Sequence, residues 1–487
     1  MQPARTHELP SADHSGYQGG NIPGAGNSLQ QKDPQMTLAP NSPEARDIAY
    51  HFHSYTNAMA HAELGPQIMD HGEGVFVFDN HGKRYVEAMA GLWSVAVGFG
   101  EDRLVRAAEA QMRKLPFYHN FAHRSHDPAI DLAEKLVSMA PVPMSKVFFT
   151  NSGSEANDTV MKMIWYRSNA LGQPEKKKII SRHRGYHGVT IASASLTGLP
   201  NNHRSFDLPI SRVLHTTCPH YRKEARDGES EDAFASRCAE ELDALIQAEG
   251  PDTIAAFFAE PVMGAGGVVV PPASYWDKIQ KVLHQYDILL VADEVINGFG
   301  RTGKMWGCQT CGIEPDAMVL SKQITSSYVP FSAILLNERF YGPVAEESGR
   351  IGVLGHGFTA GGHPVGAAVA LENIRIIEEK GLVEKAAETG AYLRDRLAAF
   401  EDHPFVAELR GVGLIAALEL AHPDRDDLAP GQLGAAMNKL LYERGVISRP
   451  ILDSMAFCPP LIIERAEVDL IIDGLEGALA ALAAAEF

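Results

Sequence analysis

Short apolar runs alternate with amphipathic stretches between residues 145 and 345. The runs are rich in β-branched and aromatic residues, are bounded by turn formers, and lack strict apolar–polar alternation. This pattern is typical of strands buried on both faces, and hence of a parallel sheet covered by helices. The clearest helices between the runs cover residues 155–170 and Tyr275–Gln285. We therefore predict a large α/β domain over residues 91–345, with the strands KVFFT, KKIIS, IAAFFAE, DILLVADEV and DAMVLSK.

The chain beyond residue 346 has a mostly helical pattern. Long amphipathic stretches begin near residues 363, 383 and 466, and the short apolar runs GVGLIAALEL and GVISRP lie between them. This mixture predicts a smaller α+β domain over residues 346–487. We expect residues 46–90 to complete that domain from the other end of the chain.

Two segments lack the pattern of a folded core. Residues 1–45 are rich in Pro, Gly, Ser, Asn and Gln and contain few large apolar residues. Such a segment cannot bury enough surface to offset its ordering entropy, so it is predicted to be a disordered tail. Residues 217–232 combine charged residues with turn formers, which predicts a loop.

Composition narrows the functional class. The 487 residues include 43 basic and 61 acidic side chains, a formal net charge of −18. This acidic balance argues against nucleic acid as a partner, because a phosphate backbone needs a basic surface. No uncharged apolar run reaches the roughly 18 residues of a membrane span, and the first residues do not form a secretory signal. These features predict a cytoplasmic protein that binds neither nucleic acid nor membrane.

The five cysteines do not form a disulfide framework in a chain of this length. Cys308 and Cys311 form a C-x-x-C pattern, but a structural zinc site needs a second pair, and no further close pair of cysteines is present. We interpret the pattern as coincidence and predict no metal site.

Candidate chemistry lies at the strand ends, because ligand sites in parallel α/β sheets lie beyond the carboxyl ends of the strands. KVFFT is followed by Ser152, Gly153 and Ser154 and then by a helix. Free backbone N–H groups, hydroxyls and the positive end of a helix dipole favour a phosphate. The alternative is a Ser N-cap with a turn glycine. Neither a Walker G-K-[ST] nor a G-x-G-x-x-G pattern is present here.

Three further side chains follow predicted strands. Asp293 ends a buried strand and needs a cation or hydrogen-bond donors, although a structural ion pair with Arg301 would also satisfy it. Lys322 follows another strand, where a desolvated amine can form a Schiff base; the alternative is a solvated lysine. Tyr186 lies between glycine-rich turns, as either a ring-stacking residue or a packed loop aromatic.

The combination is more specific than its parts. A phosphate cradle, an aromatic ring, a buried carboxylate and a lysine follow successive strands in that order. Pyridoxal 5'-phosphate has an anionic tail, flat ring faces, a ring nitrogen that a carboxylate can keep protonated, and an aldehyde that a lysine can capture. The residues therefore predict a pyridoxal-phosphate site.

Seven longer motifs succeed one another between residues 50 and 485: TNSGSEAND, HRGYHGVT, AEPVMGAGG, ADEVINGFGRTGKMWG, LSKQITSSY, HGFTAGGHP and GVISRP. In this order they resemble the class III, or omega, aminotransferases of the fold type I pyridoxal-phosphate family. The resemblance implies a large domain with a mostly parallel sheet flanked by helices, and a smaller α+β domain built from both termini. It also implies a homodimer, with a tetramer as the alternative.

The resemblance further implies a role for each matching residue. Lys322 would hold the cofactor as a Schiff base and move the proton, Asp293 would pair with the ring nitrogen, and Glu260 would steady that carboxylate. The other cofactor contacts are Gly153 and Ser154 at the phosphate, Tyr186 and Val295 at the ring faces, and Phe358 and Thr359 from the neighbouring subunit.

For the substrate, Trp93, Phe121 and Val189 resemble the pocket residues of amine:pyruvate transaminases. Arg449 resembles the mobile arginine that binds a keto-acid carboxylate, and a surface arginine is the alternative. The predicted reaction transfers an amino group from a primary amine or omega-amino acid to a keto acid, with pyruvate as the expected acceptor, by a ping-pong mechanism.

Some positions depart from the family pattern and leave the substrate open. They are Asn297, Gln323, Ala360 and Gly361. The nearest rival function is a decarboxylase or aminomutase of the same fold. More distant rivals are a nucleotide-binding oxidoreductase, which would need a G-x-G-x-x-G motif, and a binding protein without catalysis, which the presence of both Asp293 and Lys322 disfavours.

Overall fold

The computed structural model describes residues 39–485, which fall into two compact units. The described part of the first comprises residues 39–66, 427–429 and 485; the second comprises residues 67–426 and 430–484. Most of the predicted tail therefore lies outside the described residues. Its last residues belong to a helix that begins at Pro43, where the Ser42 side chain accepts a hydrogen bond from the backbone N–H of Ala45.

The helices and strands are numbered in chain order. The helices are α1 Pro43–Tyr50, α2 Ala58–Leu64, α3 Ala90–Trp93, α4 Asp102–Lys114, α5 Asp127–Met139, α6 Gly153–Ala170, α7 Ile191–Leu196, α8 Tyr221–Glu224, α9 Glu231–Glu249, α10 Tyr275–Gln285, α11 Gly307–Cys311, α12 Glu338–Ile351, α13 Pro364–Glu379, α14 Leu382–Ala398, α15 Gln432–Glu443 and α16 Arg465–Ala483. The strands are β1 Met69–Glu73, β2 Phe76–Asp79, β3 Arg84–Glu87, β4 Lys146–Thr150, β5 Lys178–Arg182, β6 Val213–Thr216, β7 Ile254–Ala259, β8 Leu289–Asp293, β9 Ala317–Leu320, β10 Ser332–Leu336, β11 Val406–Val412, β12 Ile415–Leu420, β13 Val446–Ile447, β14 Arg449–Ile451 and β15 Ser454–Phe457.

A seven-stranded sheet forms the centre of the larger unit, in the order β4-β10-β9-β8-β7-β5-β6. The five predicted apolar runs are its strands β4, β5, β7, β8 and β9. All neighbouring pairs from β9 to β6 are parallel, whereas β10 runs antiparallel to both β4 and β9. The α/β class and the mostly parallel sheet are thereby confirmed.

Strands β7, β8, β9 and β10 are buried along their whole length. Their side chains pack against helices α6 and α12, and Phe258, Val291, Ile334 and Phe340 belong to one apolar cluster. Each large apolar side chain buried in this way contributes about 1.5–3 kcal/mol to folding. The cluster fixes the strand ends at which the functional residues stand.

Two smaller sheets complete the larger unit. One has the order β1-β2-β3-β13, in which β13 pairs parallel to β3, and the other has the antiparallel order β11-β12-β15-β14. The pairing of β3 with β13 joins a segment before residue 90 to one near the end of the chain. The domain boundaries at residues 90 and 345 stay a prediction.

The segment 217–232 is mainly loop, with the four-residue helix α8 inside it and the start of α9 at its end. Within residues 39–485, no helix combines the length and apolar character needed to cross a membrane.

Candidate active site

A cavity of about 180 Å³ lies at the carboxyl ends of the central strands. Seven of the site residues predicted from the sequence line this cavity. They are Gly153, Ser154, Tyr186, Glu260, Asp293, Val295 and Lys322. These residues come from five separate segments, which meet because parallel strands end at the same edge of the sheet.

One wall of the cavity is the N-terminus of α6. Ser152 is the N-cap, and its hydroxyl accepts a hydrogen bond from the backbone N–H of Glu155 at 3.2 Å. Gly153 and Ser154 occupy the first two helical positions, whose N–H groups have no partner within the helix. The N-cap alternative holds for Ser152, and the phosphate cradle at Gly153 and Ser154 stays a prediction. Ser152 caps the helix, and the next two residues present donors to the cavity.

Gly188 and Val189 pack closely against Ser154. The Ser154 hydroxyl accepts a hydrogen bond from the backbone N–H of Val189 at 3.2 Å. Gly188 has φ +134, and a Cβ atom there would lie 2.5 Å from Ser154 Oγ and 2.4 Å from Ser193 Oγ. Only glycine fits at this position, so the shape of the anion cradle depends on it.

Asp293 is the last residue of β8 and is buried. Its Oδ2 accepts hydrogen bonds from Asn157 Nδ2 at 2.9 Å and from His187 Nδ1 at 2.8 Å, and its Oδ1 accepts one from the backbone N–H of Val295 at 3.1 Å. Burial acts to raise the pKa of Asp293, but the hydrogen bonds and the charge of His187 outweigh it and hold the pKa below its usual value. The carboxylate is therefore ionised in the interior.

Arg301 does not pair with Asp293. Its guanidinium is fully buried and donates to the backbone carbonyls of Leu414 at 2.8 Å and Pro459 at 2.7 Å. The structural ion pair considered as an alternative for Asp293 is thus absent from the described residues. The partners of Asp293 are instead His187 and Asn157, which sequence reasoning missed even though both lie in the quoted motifs.

Lys322 lies two residues beyond the end of β9 and is partly buried at the cavity wall. Burial lowers the pKa of its amine, and the positive charge of Arg449 lowers it further, while the charges of Asp293 and Glu260 act in the opposite direction. The net decrease raises the fraction of neutral, nucleophilic amine. The backbone at Lys322 has φ +46, which is uncommon and costly for a residue with a side chain.

Glu260 follows β7 and is also buried. It accepts hydrogen bonds from the backbone N–H groups of Tyr186 at 3.0 Å and Gly264 at 2.9 Å. Burial raises the pKa of Glu260, and the neighbouring charge of Asp293 adds to that increase. These contacts make Glu260 a positioning residue that holds the loop carrying Tyr186.

The predicted substrate residues do not all meet at the cavity. Trp93 is buried in an apolar cluster with Ile296, which itself lines the cavity. Val189 is 56% exposed. Arg449 lies in β14, near enough to Lys322 for its charge to affect the amine.

Phe121 and Phe358 instead line a second, larger cavity of about 960 Å³. Phe121 packs against Gly357, where an added Cβ would lie 2.7 Å from the phenyl ring. Thr359 is exposed beside it. Within one described chain, Phe358 and Thr359 are therefore separate from the Lys322 cavity.

Two departures from the family pattern have structural roles. Gln323 is buried, and its side-chain amide donates to the carbonyls of Ile296 at 2.7 Å and Gly298 at 3.0 Å. The Asn297 amide donates to the carbonyl of Val262 at 3.0 Å. Both residues tie the loop after β8 to its neighbours without removing a chemical group from the cavity.

The residues present fit pyridoxal phosphate. Asp293 Oδ1 accepts one hydrogen bond and keeps a lone pair for a ring N–H. The α6 N-terminus provides anion donors next to a cradle that a Cβ would fill. Tyr186 and Val295 provide apolar surface for a flat ring, and Lys322 provides the amine.

The chain is similar to a known protein family and to named relatives. The family model described as aminotransferase class-III matches residues 58–479. A probable gamma-aminobutyrate transaminase 3, mitochondrial, from Oryza sativa subsp. indica is 46% identical over 431 residues, which covers 88% of this chain and 84% of that protein. Gamma aminobutyrate transaminase 1, mitochondrial, from Solanum lycopersicum is 46% identical over 422 residues, with 86% and 82% covered.

The chain is also similar to solved structures in both sequence and fold. The omega transaminase from Pseudomonas jessenii in complex with PMP is 59% identical, with a TM-score of 0.90, covering 91% of this chain and 98% of that chain. A transaminase with L-ala is 65% identical, with a TM-score of 0.84, covering 86% of this chain and 99% of that chain.

The ionised state of Asp293 predicts a pH effect on stability. Its folded-state pKa lies below its unfolded value of about 3.9, so its contribution is present above that pH and is lost as the pH falls through the folded-state value. We expect the free energy of unfolding of wild type to fall more steeply between about pH 5 and pH 3 than that of Asp293→Asn. Urea denaturation of the cofactor-free proteins measures this, with Asp395→Asn, an exposed position on α14, as control. Parallel curves for wild type and Asp293→Asn would contradict the assignment.

Proposed function

Because the chain belongs to the class III aminotransferases, which use pyridoxal phosphate to transfer amino groups, we propose that it moves an amino group from a primary amine or omega-amino acid to pyruvate. The observation that carries this proposal is the meeting of three groups in one cavity. These are the amine of Lys322, the ionised carboxylate of Asp293 and the N-terminus of α6. An amine, an acid and an anion cradle are what this cofactor requires of a protein.

When bound, pyridoxal phosphate supplies an aldehyde for the amino group and a ring that accepts electrons from the substrate. Asp293 holds a proton at the ring nitrogen, because its buried carboxylate is ionised and has a free lone pair on Oδ1. His187 and Asn157 keep that carboxylate in place. Gly153 and Ser154 bind the phosphate through N–H groups and a hydroxyl.

Lys322 moves the proton during transfer. Burial lowers the pKa of its amine, which raises the fraction of neutral Nζ that can accept a proton and return it. The charges of Asp293 and Glu260 act against this decrease, because they favour the protonated amine. Tyr186 and Val295 cover the ring and restrict water at the reacting atoms.

Arg449 binds the carboxylate of the keto acid in this proposal. A guanidinium binds a carboxylate bidentately, and the effect of Arg449 on the Lys322 amine supports a position within electrostatic reach of the reacting centre. The same side chain leaves room for an apolar amine when it turns away. This supports a ping-pong sequence in which donor and acceptor use one site in turn.

Two sets of similar proteins bear on the choice of amino donor and acceptor. The curated plant relatives act, by their names, on gamma-aminobutyrate, which is an omega-amino acid. One similar solved structure is described as an omega transaminase, and another as a transaminase with L-ala, the product that pyruvate would yield. The plant relatives and the omega transaminase support an omega-amino donor for this chain, and the structure with L-ala supports pyruvate and alanine as the acceptor couple.

We also propose that the enzyme works as a homodimer. Phe358 and Thr359 lie apart from the Lys322 cavity of their own chain, on a face with exposed apolar side chains such as Val353 and Phe121. A second copy of the chain would cover this face and bring Phe358 and Thr359 to the other phosphate cradle. Such an isologous contact is the commonest form of oligomer.

A cytoplasmic location remains part of the proposal. All five cysteines are free of disulfide bonds, which supports a reducing compartment. The plant relatives named above are mitochondrial, so fractionation of the source cells is the deciding measurement.

A donor panel tests the reaction. Purified enzyme with pyruvate or 2-oxoglutarate is offered gamma-aminobutyrate, a diamine and an aryl amine, and alanine and glutamate are measured. We expect alanine in equal amount to the donor consumed, and a loss of at least about 10⁴-fold for Lys322→Ala. Lys380→Ala is the matched control, since it removes an exposed lysine that pairs with Glu101. Release of carbon dioxide, or rearranged donor without alanine, would favour the decarboxylase or aminomutase instead.

Arg449→Ala separates the two half-reactions. We expect the KM for pyruvate to rise by roughly 10–100-fold, because a bidentate charged contact is lost, while single-turnover deamination of an aryl amine changes less than about threefold. Arg444→Ala, at an exposed arginine that bonds the carbonyl of Leu440, is the control. Equal losses in both half-reactions would remove Arg449 from the acceptor site.

Subunit complementation tests the shared site. The holoenzyme is expected to elute at twice the 52.9 kDa of the chain. Lys322→Ala and Thr359→Asp chains are each expected to be inactive, the second because its charge repels the phosphate. When unfolded and refolded together, random pairing should restore about a quarter of wild-type activity, because mixed dimers contain one intact site. No recovery on mixing would show that Thr359 acts within its own chain.

A further inference from the structure

Three histidines converge on one carboxylate in the smaller unit. Asp47 lies in α1, His51 and His53 follow the end of that helix, and His61 lies in α2. Asp47 Oδ1 lies 3.0 Å from His51 Nδ1, and Asp47 Oδ2 lies 2.7 Å from His53 Nε2 and 3.0 Å from His61 Nε2. The imidazole rings of His51 and His53, and those of His53 and His61, are about 4 Å apart.

The cluster has the composition of a metal centre. Ligand atoms of Asp47, His51 and His53 all lie within 4.8 Å of one another, and His61 adds a third nitrogen, which lies 3.0 Å from the same carboxylate oxygen that His53 contacts. Imidazole nitrogens with a carboxylate oxygen are the ligands that zinc prefers when thiolates are absent. From these contacts we propose that Asp47, His51, His53 and His61 form a zinc site.

The distances allow this with small movements of Asp47, His51 and His53, whereas His61, which lies outside that mutually close set, must move further to complete the site. A tetrahedral zinc ion with bonds of about 2.0–2.1 Å holds its ligand atoms about 3.4 Å apart. The nitrogen–oxygen distances of 2.7–3.0 Å are hydrogen-bond lengths, so an ion would push each pair apart by roughly half an ångström. His51 is 64% exposed, whereas His61 and Asp47 are 13% and 18% exposed. The ion would thus enter from the His51 side and bind against the two more enclosed ligands.

The local fold gives zinc a structural role. Neither α1 nor α2 contains a buried residue, and Tyr50, Phe52 and Met59 are largely exposed. The two helices therefore have little apolar packing to hold them together. An ion held by one residue of α1, two of the connection and one of α2 would fasten the helices directly, because metal binding contributes its free energy to folding.

The spacing of these four residues is a sequence signal for a metal site that the search for cysteine pairs did not detect. The ligands are spaced as D-x₃-H-x-H-x₇-H, which contains no cysteine and so differs from the zinc motifs that rely on cysteine pairs. The competing structure is a carboxylate hydrogen-bonded by three imidazoles without an ion. The proposal does not depend on the aminotransferase function, because no residue of the catalytic cavity takes part.

Metal content of the full-length holoenzyme tests the site. The protein is stripped with a chelating resin, dialysed against zinc chloride, and analysed for zinc by mass spectrometry and by calorimetric titration. We expect one zinc per chain with a Kd near or below about 1 μM. Hydrogen exchange of residues 43–64 should slow when zinc is added, while exchange in the central sheet stays the same.

Variants identify the ligands. His53→Ala and Asp47→Asn are each expected to weaken zinc binding by at least about 100-fold, the second with almost no change of shape. His71→Ala is the matched control, because His71 is also an exposed histidine beside an aspartate, Asp70, but forms no wider cluster. Retention of pyridoxal phosphate by each variant shows that the larger unit is folded.

Two results would overturn the zinc site, and a third would overturn its structural role. They are zinc content below about half an equivalent, equal zinc binding by wild type and both cluster variants, and zinc binding that leaves exchange of residues 43–64 unchanged. The first would leave the hydrogen-bonded carboxylate as the structure of the cluster. The second would assign the ion to other groups, such as the partly exposed Cys311. The third would remove the structural role.

Discussion

The architecture of this enzyme depends on keeping one carboxylate charged in the protein interior. Burial of Asp293 opposes ionisation, and directed hydrogen bonds together with the charge of His187 overcome that cost. Three donors from three segments meet this need: Asn157 from α6, His187 from the loop after β5, and the backbone N–H of Val295. The fold must bring these segments to the end of β8. The catalytic chemistry then uses a charge whose position is already fixed.

The order of strands in the sheet explains how the other groups join Asp293. Glu260, Asp293 and Lys322 follow β7, β8 and β9, which are neighbours and parallel. Three side chains separated by tens of residues in sequence therefore stand side by side. Their charges are coupled, since Asp293 raises the pKa of Glu260 and both act on Lys322. The site behaves as one electrostatic unit rather than as separate residues.

The sequence predicted those parts that have a local signal. Continuous apolar runs revealed five of the seven central strands, and the residues at or beyond their carboxyl ends included Asp293 and Lys322. Strand β6 was missed because VLHT is short and half polar, and β10 because an antiparallel strand has no place in a simple β-α-β pattern. The partners His187 and Asn157 depend on contacts across more than 100 residues, which no local pattern records. Phe358 and Thr359 were identified only through family resemblance, and one chain alone leaves them without a site.

The unusual backbone at Lys322 has a consequence for redesign. Its φ of +46 is held by neighbours in sequence and in space: Gln323 bridges the loop after β8, and the Asn373 amide donates to the carbonyls of Gln323 and Ile324. The direction of the lysine is thus set by a buried amide scaffold rather than by the lysine itself. Moving the short LSKQ motif into another sheet would not transfer that direction. Transfer of the lysine to another protein would also need the Asn373 amide from α13 and the carbonyls that it contacts. The smallest set of residues that preserves the direction of the lysine is therefore larger than the catalytic residues.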